Sequence, residues 1–125
     1  ALAGDPPAML KLARFYRHGS EGRANYEMAF MWYKRCSDMG MTEAQFELAL
    51  CLQYGLGAAV DTQAAFELHR KSSDNGNAEA SFVLAEAYYE GRELTRDTQL
   101  AREYYEMAAD KGHAQARQRL EQRSF

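Results

Sequence analysis

Apolar side chains recur along this chain in two alternating stripes. Ala8, Leu12, Ala13 and Tyr16 follow an i, i+4, i+5, i+8 spacing, which gathers them on one face of a helix over about residues 6–18. Asp5 followed by Pro6 and Pro7 opens that helix, because proline sits well in a first turn whose N–H groups have no intrahelical partner. Gly19 supplies the left-handed backbone that stops it. Asn25 is a good N-cap for a second helix, whose stripe is Ala29, Trp32, Tyr33 and Cys36 at i, i+3, i+4, i+7 and which ends at Gly40. The pattern predicts a helix hairpin, with helix A followed by helix B.

The hairpin then repeats every 36 residues without a gap. Ala8, Ala44, Ala80 and Ala116 share one column, and Leu12, Leu48, Leu84 and Leu120 another. Gly19, Gly55 and Gly91 stop the A helices; Asn25, Asp61 and Asp97 cap the B helices; Gly40, Gly76 and Gly112 end them. One hairpin cannot cover its own apolar face, so neighbouring copies must stack, and about three are needed for a stable array. The expected fold is all-α: one repeat domain over 1–125, with repeats at about 5–40, 41–76 and 77–112. A helix within 113–125 keeps Ala116 and Leu120 but is otherwise polar (Gln118, Arg119, Glu121, Gln122, Arg123), as a terminal cap should be.

Composition adds bounds to this picture. The chain is 46% hydrophobic and 26% charged and contains no 18-residue apolar run, which excludes a disordered tail and membrane insertion through a helix. A net charge of −3 with short basic runs argues against nucleic acid as a partner. The charge is uneven: residues 1–36 hold six Lys/Arg and three Asp/Glu, whereas residues 73–108 hold three and eight. Such polarity can steer a partner of opposite gradient, or simply be solvated surface. Ala1-Leu2-Ala3 reads either as the remnant of a signal peptide or, with Gly4 in register with the other turn glycines, as the end of a preceding repeat helix in a longer array.

Candidate chemistry is sparse. His18, His69 and His113 have no metal-ligand spacing, and Cys36 and Cys51 lack the paired pattern of a zinc site; no metal or cofactor is expected. Asp61 and Asp97 are explained as N-caps, and Gly55-Leu56-Gly57 as a turn lacking the strand and the Lys-Ser/Thr of a phosphate loop. His69, Ser72 and Ser73 share one helix, but no oxyanion donor accompanies them. These features do not describe an enzyme.

The third copy reads Leu84-Ala85-Glu86-Ala87-Tyr88-Tyr89-Glu90-Gly91, Asp97, Ala101, Tyr104-Tyr105, Ala108-Ala109, Gly112, and the first adds Trp32-Tyr33-Lys34. This pattern resembles the Sel-one-like repeat, a relative of the tetratricopeptide repeat, over essentially the whole chain. The second copy departs from it with His69 in the second aromatic place and Ser72-Ser73 for the paired alanines, and the first with Arg23-Ala24 between its helices. The resemblance implies a right-handed α/α superhelix that serves as an adaptor or scaffold for another protein or peptide. Register against tetratricopeptide units implies that the concave surface carries Leu10, Arg14 and Arg17 in the first copy and Phe46, Leu50 and Gln53 in the second. The third copy contributes Phe82, Glu86 and Tyr89, and the cap Gln118 and Gln122. Phe46 and Phe82 are the foremost anchors, unless they simply pack between adjacent A helices. Among relatives, alternatives include an immunity-type protein that neutralises a secreted bacterial effector and a hydrolase or β-lactam-binding protein. Bacterial periplasm or cytoplasm both fit, with the resemblance favouring the periplasm. Cysteine-rich relatives bridge each repeat; this chain lacks that pair, leaving a Cys36–Cys51 disulfide or two buried thiols.

Overall fold

The structure, a computed structural model, describes residues 5–19 and 25–125. The expectations for Ala1 to Gly4 and for Arg23-Ala24 lie outside those residues. Among the described residues there are seven helices and no strand: α1 (Pro6–His18), α2 (Tyr26–Asp38), α3 (Thr42–Tyr54), α4 (Thr62–Asp74), α5 (Ala78–Glu90), α6 (Thr98–Asp110) and α7 (Ala114–Gln122). The first six have 13 residues each. The A helices are therefore α1, α3, α5 and α7, and the B helices α2, α4 and α6.

The period of the sequence reappears in the backbone hydrogen bonds. Each A-to-B turn is closed by the N–H of the B-helix cap donating to the carbonyl of the A-helix aromatic or leucine: Asn25 to Tyr16, Asp61 to Leu52 and Asp97 to Tyr88. Each B-to-A turn is closed the same way, by Met41 to Cys36, Asn77 to Ser72 and His113 to Ala108. The expected caps form, the side-chain oxygens of Asn25, Asp61 and Asp97 accepting from the N–H groups of Met28, Ala64 and Leu100. Gly57 is a turn residue that no side chain could replace, because its φ is +81° and a Cβ there would run into the Tyr26 carbonyl.

The chain divides into two compact units, Ala1–Leu68 and His69–Phe125, with the boundary inside α4. In the first unit the core is aliphatic and sulfur-rich: Met9, Leu10, Ala13, Ala29, Tyr33, Cys36, Ala44, Leu48 and Cys51. In the second it is mostly alanine, with Ala85, Ala101, Ala108, Ala109 and Ala116 around Tyr105, edged by Phe82, Tyr88, Tyr89, Tyr104 and Leu120. Small side chains let the helix backbones approach, and the aromatic rim covers the seam that they leave. Cys36 and Cys51 are both free buried thiols, so the open question of a bridge resolves to the thiol form. Burial raises the pKa of each, a raising that the nearby charge of Arg17 partly offsets at Cys51.

Candidate functional site

The A-helix face of the second unit is built around one carboxylate. Glu86, on α5, accepts hydrogen bonds from the Tyr105 hydroxyl at 2.5 Å, Arg119 Nε at 3.1 Å and Arg123 Nη1 at 2.7 Å. Arg123 Nη1 also donates to the Tyr105 oxygen at 2.6 Å. The first effect on Glu86 is burial, which works to raise its pKa. The hydrogen bonds from Tyr105 and Arg123 and the charges of Arg123 and Arg119 outweigh burial and hold it below its ordinary value. Tyr105 is pushed the other way, upward, by its own burial and then by the Glu86 carboxylate that it serves.

Aromatic rings wall this group. Phe82 stacks on His113 at 4.6 Å between centroids and meets Tyr105 edge-on at 5.9 Å, with the Arg119 guanidinium 5.7 Å away. Tyr89 takes the guanidinium of Arg123 over its ring at 4.2 Å and meets Phe125 at 5.7 Å. His113 is fixed from both sides: its Nδ1 caps α7 by accepting from the Ala116 N–H, and its Nε2 lies 3.0 Å from Glu79. Phe82, Glu86 and Tyr89, expected as free positions on the inner wall, are thus brought together, but into a network with α6 and α7.

In the first unit the same face is made differently. Arg14 and Arg17 on α1 pair across to Glu43 and Glu47 on α3. The first pair is exposed, its side chains 44% and 62% accessible, and the second is largely covered. Beneath them lies Tyr33, fully buried, whose hydroxyl has no hydrogen-bond partner among the described residues. Burial raises its pKa, and the charges of Arg17 and Arg14 pull against that rise. Leu10 departs from the expected surface position: it is 5% exposed and belongs to the core with Met9 and Ala13, drawn inward because α1 buries a wider face than its leucine and alanine stripe suggested. Phe46, Leu50 and Gln53 are half-buried on α3, and Gln118 and Gln122 are exposed on α7.

Sequence reasoning missed Tyr105, Arg119, Arg123, His113 and Phe125 as parts of this face. Arg119 and Arg123 are spaced i, i+4 on one side of the last A helix, opposite the only acidic residue among the expected inner-wall positions; that charge match was the available signal. The remaining chemistry goes into the core. His69, Ser72 and Ser73 are buried, and the Ser73 hydroxyl shares a 2.6 Å hydrogen bond with Ser81. Burial lowers the pKa of His69 to about 4. No group of three or more His, Cys, Asp or Glu suited to a metal occurs among the described residues, and no helix there is long and apolar enough to cross a membrane.

Residues 6–41, 42–77 and 78–113 each match the family model described as Sel1 repeat. Among solved structures, the chain is 32% identical to a protective antigen of uropathogenic Escherichia coli strains that displays an SLR fold, with a TM-score of 0.86 over 94% of this chain. It spans only 25% of that antigen's length. A Sel1 repeat protein from Oxalobacter formigenes is 30% identical, with a TM-score of 0.81 over 87% of this chain and 83% of its own. Cysteine-rich protein B of Helicobacter pylori shares the fold, at a TM-score of 0.73 and 14% identity over 94% of this chain and 96% of its own. A search of the curated proteins finds no match.

Proposed function

The chain belongs to the Sel1 repeat family, and from that premise we propose that it is a non-enzymatic binding module whose A-helix faces hold a partner protein or peptide. The observation that carries this reading is the run of three matched repeats across residues 6–113, since stacked helix hairpins expose side chains of successive A helices in register. The supporting chemistry is mixed in the way protein interfaces are. Half-buried Phe46 and Leu50 stand as apolar anchors on α3, beside Gln53 and, on α1, the charged Arg14 and Arg17. The exposed Gln118 and Gln122 give α7 a polar rim.

Affinity purification of the native protein, followed by reconstitution with the purified partner, tests the reading. Leu50→Ala with Gln53→Ala should weaken binding by about tenfold or more, the range of an interface anchor, and leave the melting temperature within about 2–4 °C of the parent. If that variant binds normally, while changes on the B-helix surface at Met31 and Lys34 abolish binding, the partner sits on the other face and the proposal fails.

A further inference from the structure

Tyr33 and Tyr105 hold equivalent places in repeats one and three, but the side chains at the positions around them differ. Position 14 of the first repeat corresponds to 86 of the third, 47 to 119, and 51 to 123. At Tyr105 the arrangement is complete: the hydroxyl and two guanidinium groups converge on the Glu86 carboxylate. At Tyr33 the hydroxyl is equally buried, but the equivalent positions carry Arg14, Glu47 and Cys51, and the charges of Arg17 and Arg14 on α1 act on it. Cationic groups are again at hand, but the carboxylate that stands at an equivalent position, Glu47, is paired with Arg17, and the Tyr33 hydroxyl has no acceptor among the described residues.

A buried hydroxyl without an acceptor is costly, and native structures rarely leave one so. We propose that the first repeat completes this arrangement with a carboxylate from outside: its A-helix face binds an acidic segment of a partner protein, one Asp or Glu side chain accepting from Tyr33 and from Arg14 or Arg17 as Glu86 accepts within the third repeat. This deepens the binding role proposed above and rests on it. Charge complementarity favours this occupant, since residues 1–36 carry twice as many basic as acidic side chains. Among the described residues Arg14 is held by an exposed pair to Glu43, a contact of little net strength, so an incoming carboxylate can exchange with it and reach the space over Tyr33.

The test uses the full 125-residue chain and a terminally blocked nonapeptide with Glu at alternate positions, set against the same peptide with Gln at each Glu. Nitrogen-15 NMR locates the binding and calorimetry measures it. The Glu peptide should shift the resonances of α1 and α3 around Arg14, Arg17 and Glu47, and the Gln peptide should not. Tyr33→Phe should weaken the Glu peptide about tenfold or more, as expected for losing a buried hydrogen bond to a charged group, without lowering the melting temperature. Arg17→Gln, checked for unchanged helicity, should give a similar loss.

Unchanged Glu-peptide affinity in Tyr33→Phe overturns the inference. So does a drop in that variant's melting temperature equal to that of Tyr105→Phe, which would mean that the hydroxyl already has an acceptor within the chain. If the Gln peptide binds the same face as tightly, A-helix binding stands and the carboxylate inference alone falls. If neither peptide moves α1 or α3, the inference again falls by itself, because partner binding is read separately by the Leu50 and Gln53 variants.

Discussion

Tyr33 and Tyr105 answer one structural demand with opposite outcomes. Both stand on B helices and both are fully buried. Around Tyr105 the chain supplies a carboxylate from α5, one arginine from α7 and another from its C-cap; around Tyr33 it supplies arginines from α1 and leaves the hydroxyl without an acceptor among the described residues. The apolar ring is fixed by the repeat, because stacking fails without it. The polar complement is set by residues outside the repeat's consensus positions, so it can be closed in one copy and open in another. Repetition constrains the core and leaves the A-helix face of each unit free to specialise.

The strongest way to break that contrast is through the core beneath it. Leu84 is fully buried, whereas its repeat-mate Leu12 is only partly covered. Leu84→Ala should cost about 2–5 kcal/mol, the range for truncating a buried leucine, and Leu12→Ala clearly less. Denaturant unfolding measures both; equal losses would show that the two units are equally tight and that the difference lies in the polar groups alone.

His69 occupies the same column as the two tyrosines and gives a third answer, a neutral imidazole in the core. Its folded pKa of about 4 lies below the ordinary 6.5 because burial disfavours the cation. As pH falls, the unfolded chain therefore takes up the proton first, and stability declines between about pH 6.5 and pH 4 and levels off below. The decline should reach about 3–4 kcal/mol. Melting followed over that range should show the slope, and His69→Tyr, which restores the column, should flatten it. A slope unchanged in the variant would assign the acid sensitivity to the carboxylates instead.

A smaller effect compares the hydroxyls themselves. Tyr105→Phe removes a donor to Glu86 and an acceptor for Arg123 and should destabilise by about 1–3 kcal/mol. Tyr33→Phe removes a hydroxyl that has no partner among the described residues and should be neutral or slightly stabilising. Similar losses in both would erase the distinction between a closed and an open site.

The fold was legible because its determinants are periodic. Alanine and leucine columns, glycine stops and Asn/Asp caps recur at 36 residues, and each appears in the structure as a helix, a turn or a cap. The network at Glu86 was not legible, because it joins α5, α6 and α7 through long side chains whose reach depends on how closely the helices pack. Position 14 and position 86 occupy the same place on an A helix, and nothing in the period says that the arginine in one will cross to Glu43 while the glutamate in the other gathers two arginines. Leu10 shows the converse: it shares the register expected of surface positions on the A helices yet is core, because α1 turns Met9 and Leu10 inward together with Ala13.

The smallest expected effect is the sharpest test of openness. Arg14 and Glu43 are 2.8 Å apart, but both are substantially exposed, so solvent screens the attraction and holding two flexible side chains offsets much of what remains. Glu43→Ala should therefore change stability by no more than about 0.5 kcal/mol, an effect that shrinks further in high salt. Glu86→Gln, which weakens a carboxylate only 20% exposed and held by three donors, should cost several times as much under the same conditions. A Glu43→Ala loss that rivals it and persists in high salt would mean that Arg14 is as firmly committed as Arg119 and Arg123. The first-repeat face would then be closed by its own charges, with no guanidinium to offer a partner.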